Sequence, residues 1–486
     1  MKTFFGHPRG LATLFFTEMW ERFSYYGMRA LLILYMTAAA ASGGLGFDVA
    51  KAAAIYGLYT SGVYMLGLPG GWLADRVFGQ RRAVLYGGIL IAAGNFCLAA
   101  SWIESFYLGL VLIVLGTGLL KPNVSTIVGQ LYEAGDTRRD AGFSIFYMGI
   151  NLGAFLSPLA CGWVGQRIDW HAGFALAGVG MTLGIIQYVA GGRHLGEAGR
   201  YPVKPESAEA AAREQRRLRA AVVTVAAAVA LCVVLNRSGV VAISAVGVAN
   251  AFGLILLATV IAFFGWMFLA GEWTPVERKR LFVIGVLYLA AAFFWSAFEQ
   301  AGSSMNLFAE RATRKVILGF TFPASWLQSV NALAIIALAP VFAWLWVKLG
   351  SREPSSPAKF VWGLVTLGLV FVVLAGGAVF AAAGEQVSPM WLIWTYVLHT
   401  VGELCLSPVG LSAMTKLSPA RVAGLMMGVW FMSNATGNYL GGRMAAFYEA
   451  LPLPTLFGAI AAFSIGSGLV LALFVKPIQR LMGGVK

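Results

Sequence analysis

Stretches of about 20 or more apolar residues, each long enough to cross a bilayer core as a helix, recur along this chain from one end to the other. Lipid offers no water to satisfy backbone groups, so such stretches must satisfy their own hydrogen bonds as helices. They are also roughly twice as long as the strands of a membrane barrel. Only 12% of residues are charged, about half the share of a soluble domain. The fold class that follows is an all-α polytopic membrane protein.

The spans fall near 14–41, 49–76, 82–103, 105–131, 139–165 and 171–192, then 220–236 and 245–270, then 278–308, 319–347, 358–383, 388–415, 420–447 and 453–475. This predicts four parts: a six-helix bundle over 1–193, a cytoplasmic linker over 194–219, two extra peripheral transmembrane helices over 220–270, and a second six-helix bundle over 271–486. The middle pair carries no charge within its spans, which suits helices facing lipid. Paired six-helix blocks suggest an internal duplication, as in transporters built from repeats. The loops ADRVFGQRR and VKLGSREPS stand at corresponding places of the two blocks.

The net charge of +14 belongs to the loops rather than to a nucleic-acid surface. With the N-terminus inside, Lys51, Arg167, Arg237, Arg311, Arg314, Lys315 and Arg443 fall outside, and Arg22, Arg29 and Lys121 fall within the membrane. All other Lys and Arg fall inside, so both termini are expected in the cytoplasm. The cluster Arg311, Arg314, Lys315 runs against that rule. The tail MKTFFGHPRG leads into a charged segment and is not expected to be a cleavable signal. Cys97, Cys161, Cys232 and Cys405 stand singly in apolar segments and read as small core residues, with no metal-ligand spacing.

The charges inside the spans carry the chemistry. In EMWERFSYYGMR, Glu18, Glu21, Arg22, Tyr25, Tyr26 and Arg29 share an arc of roughly 140° on a helix. A lone charge at the bilayer centre costs about 2.5–3.5 kcal/mol on insertion scales, so this stripe must face a bundle interior or a wet cavity. Lys121, Glu299 and Glu403 are the partners on other spans. Three cations then face four carboxylates, and a carboxylate poised between burial and a nearby cation can load and unload a proton.

ExxERFxYYG resembles the first-helix signature of the proton-coupled oligopeptide transporter family, within the major facilitator superfamily. GGWLADRVFGQRRAVLYGGILIAAG from Gly70, FYMGINLGAFLSP from Phe146, FWSAFEQAGSS and GELCLSPVGLS resemble its later motifs, in family order. The resemblance spans nearly the whole chain, including the two extra central helices of bacterial members. It implies proton-coupled import of di- and tripeptides across the inner membrane by a monomer using alternating access. No cofactor or metal is implied, only the proton as coupling ion.

Carried over residue by residue, Arg22 and Lys121 would meet a peptide carboxylate and Glu403 its ammonium. Asn151 and Asn331 would bind the backbone. Tyr25, Tyr26, Tyr64, Trp295 and Trp430 would line side-chain pockets, with Ser433 and Asn434 beside them. Glu299 would carry the proton and pair with Arg29 in a gate. Glu18 and Glu21, with Arg22, would form a second proton site. Asp75, Arg76, Arg81 and Arg82 resemble the superfamily's cytoplasmic loop and would steady one conformation. Mammalian members use a histidine in the second helix; none occurs there. His399, one turn before Glu403, is expected to pack, with tuning of Glu403 the other possibility.

Two readings stay beside this one. The same pocket could serve a nitrate-like anion or a drug, although Glu403 argues against an anion alone. A respiratory proton-pump subunit would carry similar buried charges and bind partner subunits. An enzyme is not expected, since no nucleophile–base set, metal cluster or phosphate loop stands out.

Overall fold

The computed structural model describes residues 3–133, 135–202, 207–240, 242–419 and 422–483. Lys2, Lys204, Arg421 and Lys486, which the charge count puts inside, lie outside the described residues, as do the first residues of the span placed near 420–447. The first bundle holds α1 (Arg9–Thr37), α2 (Val49–Met65), α3 (Gly67–Leu73), α4 (Gln80–Leu98), α5 (Ile103–Gln130), α6 (Arg139–Arg167) and α7 (Trp170–Gly191). A hairpin of α8 (Ala208–Arg237) and α9 (Ala245–Gly265) follows. The second bundle holds α10 (Pro275–Phe298), α11 (Ser304–Arg311), α12 (Ser329–Leu349), α13 (Ser356–Ala382), α14 (Met390–Leu417), α15 (Ala423–Ala445) and α16 (Leu453–Leu481). α2, α3 and the π turn Ala74–Phe78 make one crossing; α10, the 3-10 turn Glu299–Gly302 and α11 make another. Among the described residues the crossings therefore number fourteen, as six, two and six.

Helices start where side chains can take up their free N–H groups. Asp48 accepts from the Lys51 amide at 2.7 Å. Thr274 and Glu277 form a capping box before α10, with Pro275 in its first turn. Small residues then set how closely helices approach. At Gly153 of α6 a Cβ would lie 2.2 Å from the Met19 carbonyl oxygen and 2.9 Å from Arg22 Cβ, so this glycine lets α6 press on the charged turn of α1.

Two expectations need correction. Helix α8 begins at Ala208, ahead of the span expected from 220, because Ala and Arg continue the helix through the linker. No described side chain of α8 is buried, so Cys232 is exposed rather than a core residue. The span expected from 319 begins instead as a hairpin, Val316–Ile317 against Phe320–Thr321. Leu318 and Gly319 both have positive φ there, as a two-residue turn between twisted strands requires. The helix proper starts at Ser329, after the 3-10 turn Ala324–Gln328.

The two bundles are bonded together at the end that carries the 38–48 connection. Asn306 donates to the Ala30 carbonyl at 2.8 Å, Ser329 to the Phe155 carbonyl at 2.8 Å, and Trp326 Nε1 to the Leu159 carbonyl at 3.0 Å. Gln166 of α6 works in both directions: its amide donates to Glu310 at 2.9 Å and accepts from the Ser325 backbone N–H at 3.1 Å. Bonds to a charged partner are each worth about 1.5–3 kcal/mol net. Gln166→Ala should therefore loosen this end. In a background freed of the four native cysteines, a thiol at Ser329 should react about tenfold faster or more with a polar maleimide. An unchanged rate would show that Gln166 does not hold the seal.

Candidate functional site

Between the bundles lies a cavity of about 270 Å³. From the first bundle Glu18, Arg22, Tyr26 and Arg29 of α1, Tyr64 of α2, Lys121 of α5, and Tyr147 and Asn151 of α6 line it. From the second come Trp295 of α10, Glu299, Asn331 of α12, Glu403 of α14, and Trp430 and Asn434 of α15. A second cavity of about 670 Å³ shares Tyr147 with the lining of the first and lies between the second-bundle helices towards Lys416 and Gln479, away from the sealed end.

The charged turn of α1 folds back on itself. Arg22 Nε lies 3.2 Å from Glu18, one helical turn away, and also pairs with Glu21. The Arg22 guanidinium stands over the Tyr25 and Tyr26 rings at 5.1 and 5.9 Å, a cation–π arrangement. One turn later, Arg29 Nη1 reaches Glu299 at 3.3 Å, joining the two bundles. Both partners are buried, so removing either would leave a stranded charge, a change that costs about 3–5 kcal/mol.

The other two charges are placed differently. Lys121 sits 4.1 Å above the Tyr64 ring and, among the described residues, makes no ion pair. Glu403, on the opposite bundle, accepts a hydrogen bond from Asn331 at 3.3 Å and likewise makes no ion pair. A free cation from one bundle and a free carboxylate from the other thus look into one chamber. Asn331 is also tied to Thr400 at 2.9 Å. Asn151 and Asn434 each donate to their own helix, at 3.0 and 2.9 Å. Trp295 and Trp430 meet edge to face, with centroids 6.5 Å apart.

Of the residues expected to bind substrate, Tyr25 and Ser433 are not at the cavity wall, and neither is Glu21 of the expected second proton site. Tyr25 turns towards α2 and stacks on Tyr59, 6.4 Å between centroids, because the polar arc of α1 is wide enough to touch two neighbours. Glu21 shares that side and is fully buried behind Arg22. The Ser433 hydroxyl is satisfied by the Trp430 carbonyl one turn back, at 2.7 Å, and is fully buried. His399 does line the cavity but reaches the Phe298 carbonyl rather than Glu403. The loop after α3 lies apart from the cavity. Arg76 pairs with Glu214 of α8 at 3.0 Å, Asp75 accepts from Gln80 at 3.0 Å, Arg81 binds the Gly196 and Ala198 carbonyls, and Arg82 is exposed.

Tyr147, Tyr396 and Phe298 were missed as wall residues. Tyr147 stands one turn before Asn151, and Tyr396 two turns before Glu403, so helical spacing alone puts each on the same face as a residue that was recognised.

Known proteins resemble this chain along nearly its whole length. The sequence profile described as POT family matches residues 81–459. The chain is 42% identical to "Peptide transporter YePEPT" of Yersinia enterocolitica, over all of this chain and 97% of that protein. It is 38% identical to "Di-/tripeptide transporter" of Lactococcus lactis, over all of this chain and 98% of that one. A crystal structure of a peptide transporter POT mutant in complex with alafosfalin superposes with a TM-score of 0.92, at 45% identity, covering 99% of this chain and 97% of that one. The architecture is that of the major facilitator superfamily, with two six-helix bundles and two added helices, and neither an enzyme nor a pump subunit fits it. This chain is a multi-pass membrane transporter and belongs to the POT family.

Proposed function

We propose that the protein imports di- and tripeptides together with protons across the bacterial cytoplasmic membrane, by alternating access of the cavity between its bundles. One observation carries the substrate class. Lys121 and Glu403 offer unpaired opposite charges from opposite walls, and a short peptide zwitterion presents opposite charges at its two ends. Arg22 lies beside Lys121 for the carboxylate, and an arginine fork suits that group. The asparagines match peptide N–H and C=O groups, and the aromatic walls accept varied side chains. The names of the Yersinia and Lactococcus relatives and the alafosfalin complex support the same class.

The sealed end is the outer one, both termini are cytoplasmic, and the path past Tyr147 leads to the cytoplasm. That orientation follows the distribution of Lys and Arg. Glu299 is the driving proton site: protonation removes its charge, releases Arg29 and frees the outer seal. Glu18 and Glu21 with Arg22 form a second proton site, held together by their ion pairs. The chain acts as a monomer in the bilayer and needs no cofactor other than the proton.

The test is uptake of labelled dialanine into liposomes holding this protein alone. Accumulation should follow an inward proton gradient and collapse with an uncoupler. Glu299→Gln should abolish the accumulation and keep gradient-free counterflow exchange. Folded protein that moves no dialanine would sink the peptide reading. Glu299→Gln that still accumulates substrate would sink the proton assignment alone.

A further inference from the structure

His399 is 1% exposed, in the middle of α14, and neither substrate charge contacts it. Its ring nitrogen Nε2 lies 2.9 Å from the Phe298 carbonyl oxygen. A carbonyl only accepts, so Nε2 must carry the proton. The His399 ring also stacks on the Phe298 ring, 3.9 Å between centroids and 21° between planes.

Phe298 is the last residue of α10, where the α-helix gives way to the 3-10 turn Glu299–Gly302. A change of winding alters which carbonyls find partners along the helix. His399 supplies one such partner. One turn away on the same face of α14, the Tyr396 hydroxyl donates to the Ala301 carbonyl at 3.3 Å. The break is therefore held at both sides of Glu299 by side chains from α14. The same helix face, one turn further on, carries Glu403.

We propose that His399, with Tyr396, is a positioning residue that fixes the broken end of α10 so that Glu299 meets Arg29, and that it transmits movement of α14 to that gate. The inference rests on the proposed function only through the role of Glu299. Substrate engagement at Glu403 shifts α14; His399 and Tyr396, rigidly attached to α14, then shift the backbone that presents Glu299. The groups facing the gate from the packed elements are Tyr25 and Tyr26 of α1, Tyr56 and Tyr64 of α2, Lys121 of α5, and Tyr396, His399 and Glu403 of α14. Among these, Glu403 is the one carboxylate that acid can neutralise alongside Glu299, so the test is repeated in Glu403→Gln.

Spin labels at Ala41 and Glu385, exposed at the sealed ends of the two bundles, report the seal without any substrate. In the unaltered protein the short distance should dominate at alkaline pH, with a longer one growing on acidification. His399→Phe keeps a stacking ring but loses the donor, and should raise the long-distance fraction at alkaline pH about fivefold or more. His399→Gln, which can still donate, should restore the short distance. Tyr396→Phe should move the same way as His399→Phe, and it serves if the histidine variant does not fold. In liposomes, His399→Phe should lose most proton-driven accumulation, a larger share than it loses of dialanine counterflow. Distances and pH response matching the unaltered protein in both His399→Phe and Tyr396→Phe would overturn the proposal. So would equal loss in His399→Gln and His399→Phe, which marks a packing role. If the unaltered protein moves no dialanine, the peptide reading fails while the distances still decide this one.

Discussion

Gly302→Ala is expected to open the gate that Glu299 and Arg29 close, and to do so without replacing a charged residue. A Cβ at Gly302 would lie 1.9 Å from the Tyr56 hydroxyl and 2.8 Å from Arg29 Nε. Neither neighbour has room to retreat: Tyr56 is among the largest fully buried side chains, and Arg29 is held by Glu299. Overpacking of a filled interior costs about 1–3 kcal/mol. Applied to one of two states, that shifts their ratio roughly 5- to 150-fold. The sealed conformation bears the clash, so the outer end should open at rest and proton-driven accumulation should fall by a similar factor. Counterflow should suffer less, because, of the two crowded side chains, only Arg29 lines the cavity. Uptake and counterflow measured side by side on Gly302→Ala check this. Unchanged accumulation would mean that the tight contact of Gly302 with Tyr56 and Arg29 is not needed for coupling.

How much of this was readable beforehand differs from element to element. The number and order of crossings were legible because lipid imposes one length and one composition on every span. The charged stripe of α1 and its partners Lys121, Glu299 and Glu403 were legible because charge within a span has few affordable explanations. Which side of a polar stripe faces a cavity was not. Tyr25 and Tyr26 are neighbours in sequence and on the helix, yet one stacks on Tyr59 of α2 and the other lines the chamber. That choice is made by where α2 packs, a tertiary fact with no local signal. The break in α10 was hidden for a related reason. No proline marks it, and its stabilising partners, His399 and Tyr396, lie about a hundred residues further along the chain. Gly302, three residues after the acidic residue, was the one local hint.

The largest single effects on substrate should come from Lys121 and Glu403, which make no ion pair among the described residues. Glu403→Gln keeps the shape and the hydrogen bond to Asn331 but removes the charge. A desolvated charge pair that loses one member costs about 2–5 kcal/mol, so dialanine affinity should drop by at least about 30-fold. The loss should depend on which end of the peptide is charged. N-acetyl-dialanine has no ammonium, and its weak competition should be nearly the same for the unaltered protein and Glu403→Gln. Lys121→Gln should show the mirror pattern, with dialanine amide as the insensitive probe. In the double variant the losses should fall short of additive for dialanine, because a zwitterion gripped at one end alone has already lost its registration between the walls. Competition constants for the three ligands against the four proteins decide the matter. Equal losses for dialanine and N-acetyl-dialanine in Glu403→Gln would mean that Glu403 supports the cavity wall through Asn331, and that the peptide ammonium is met elsewhere.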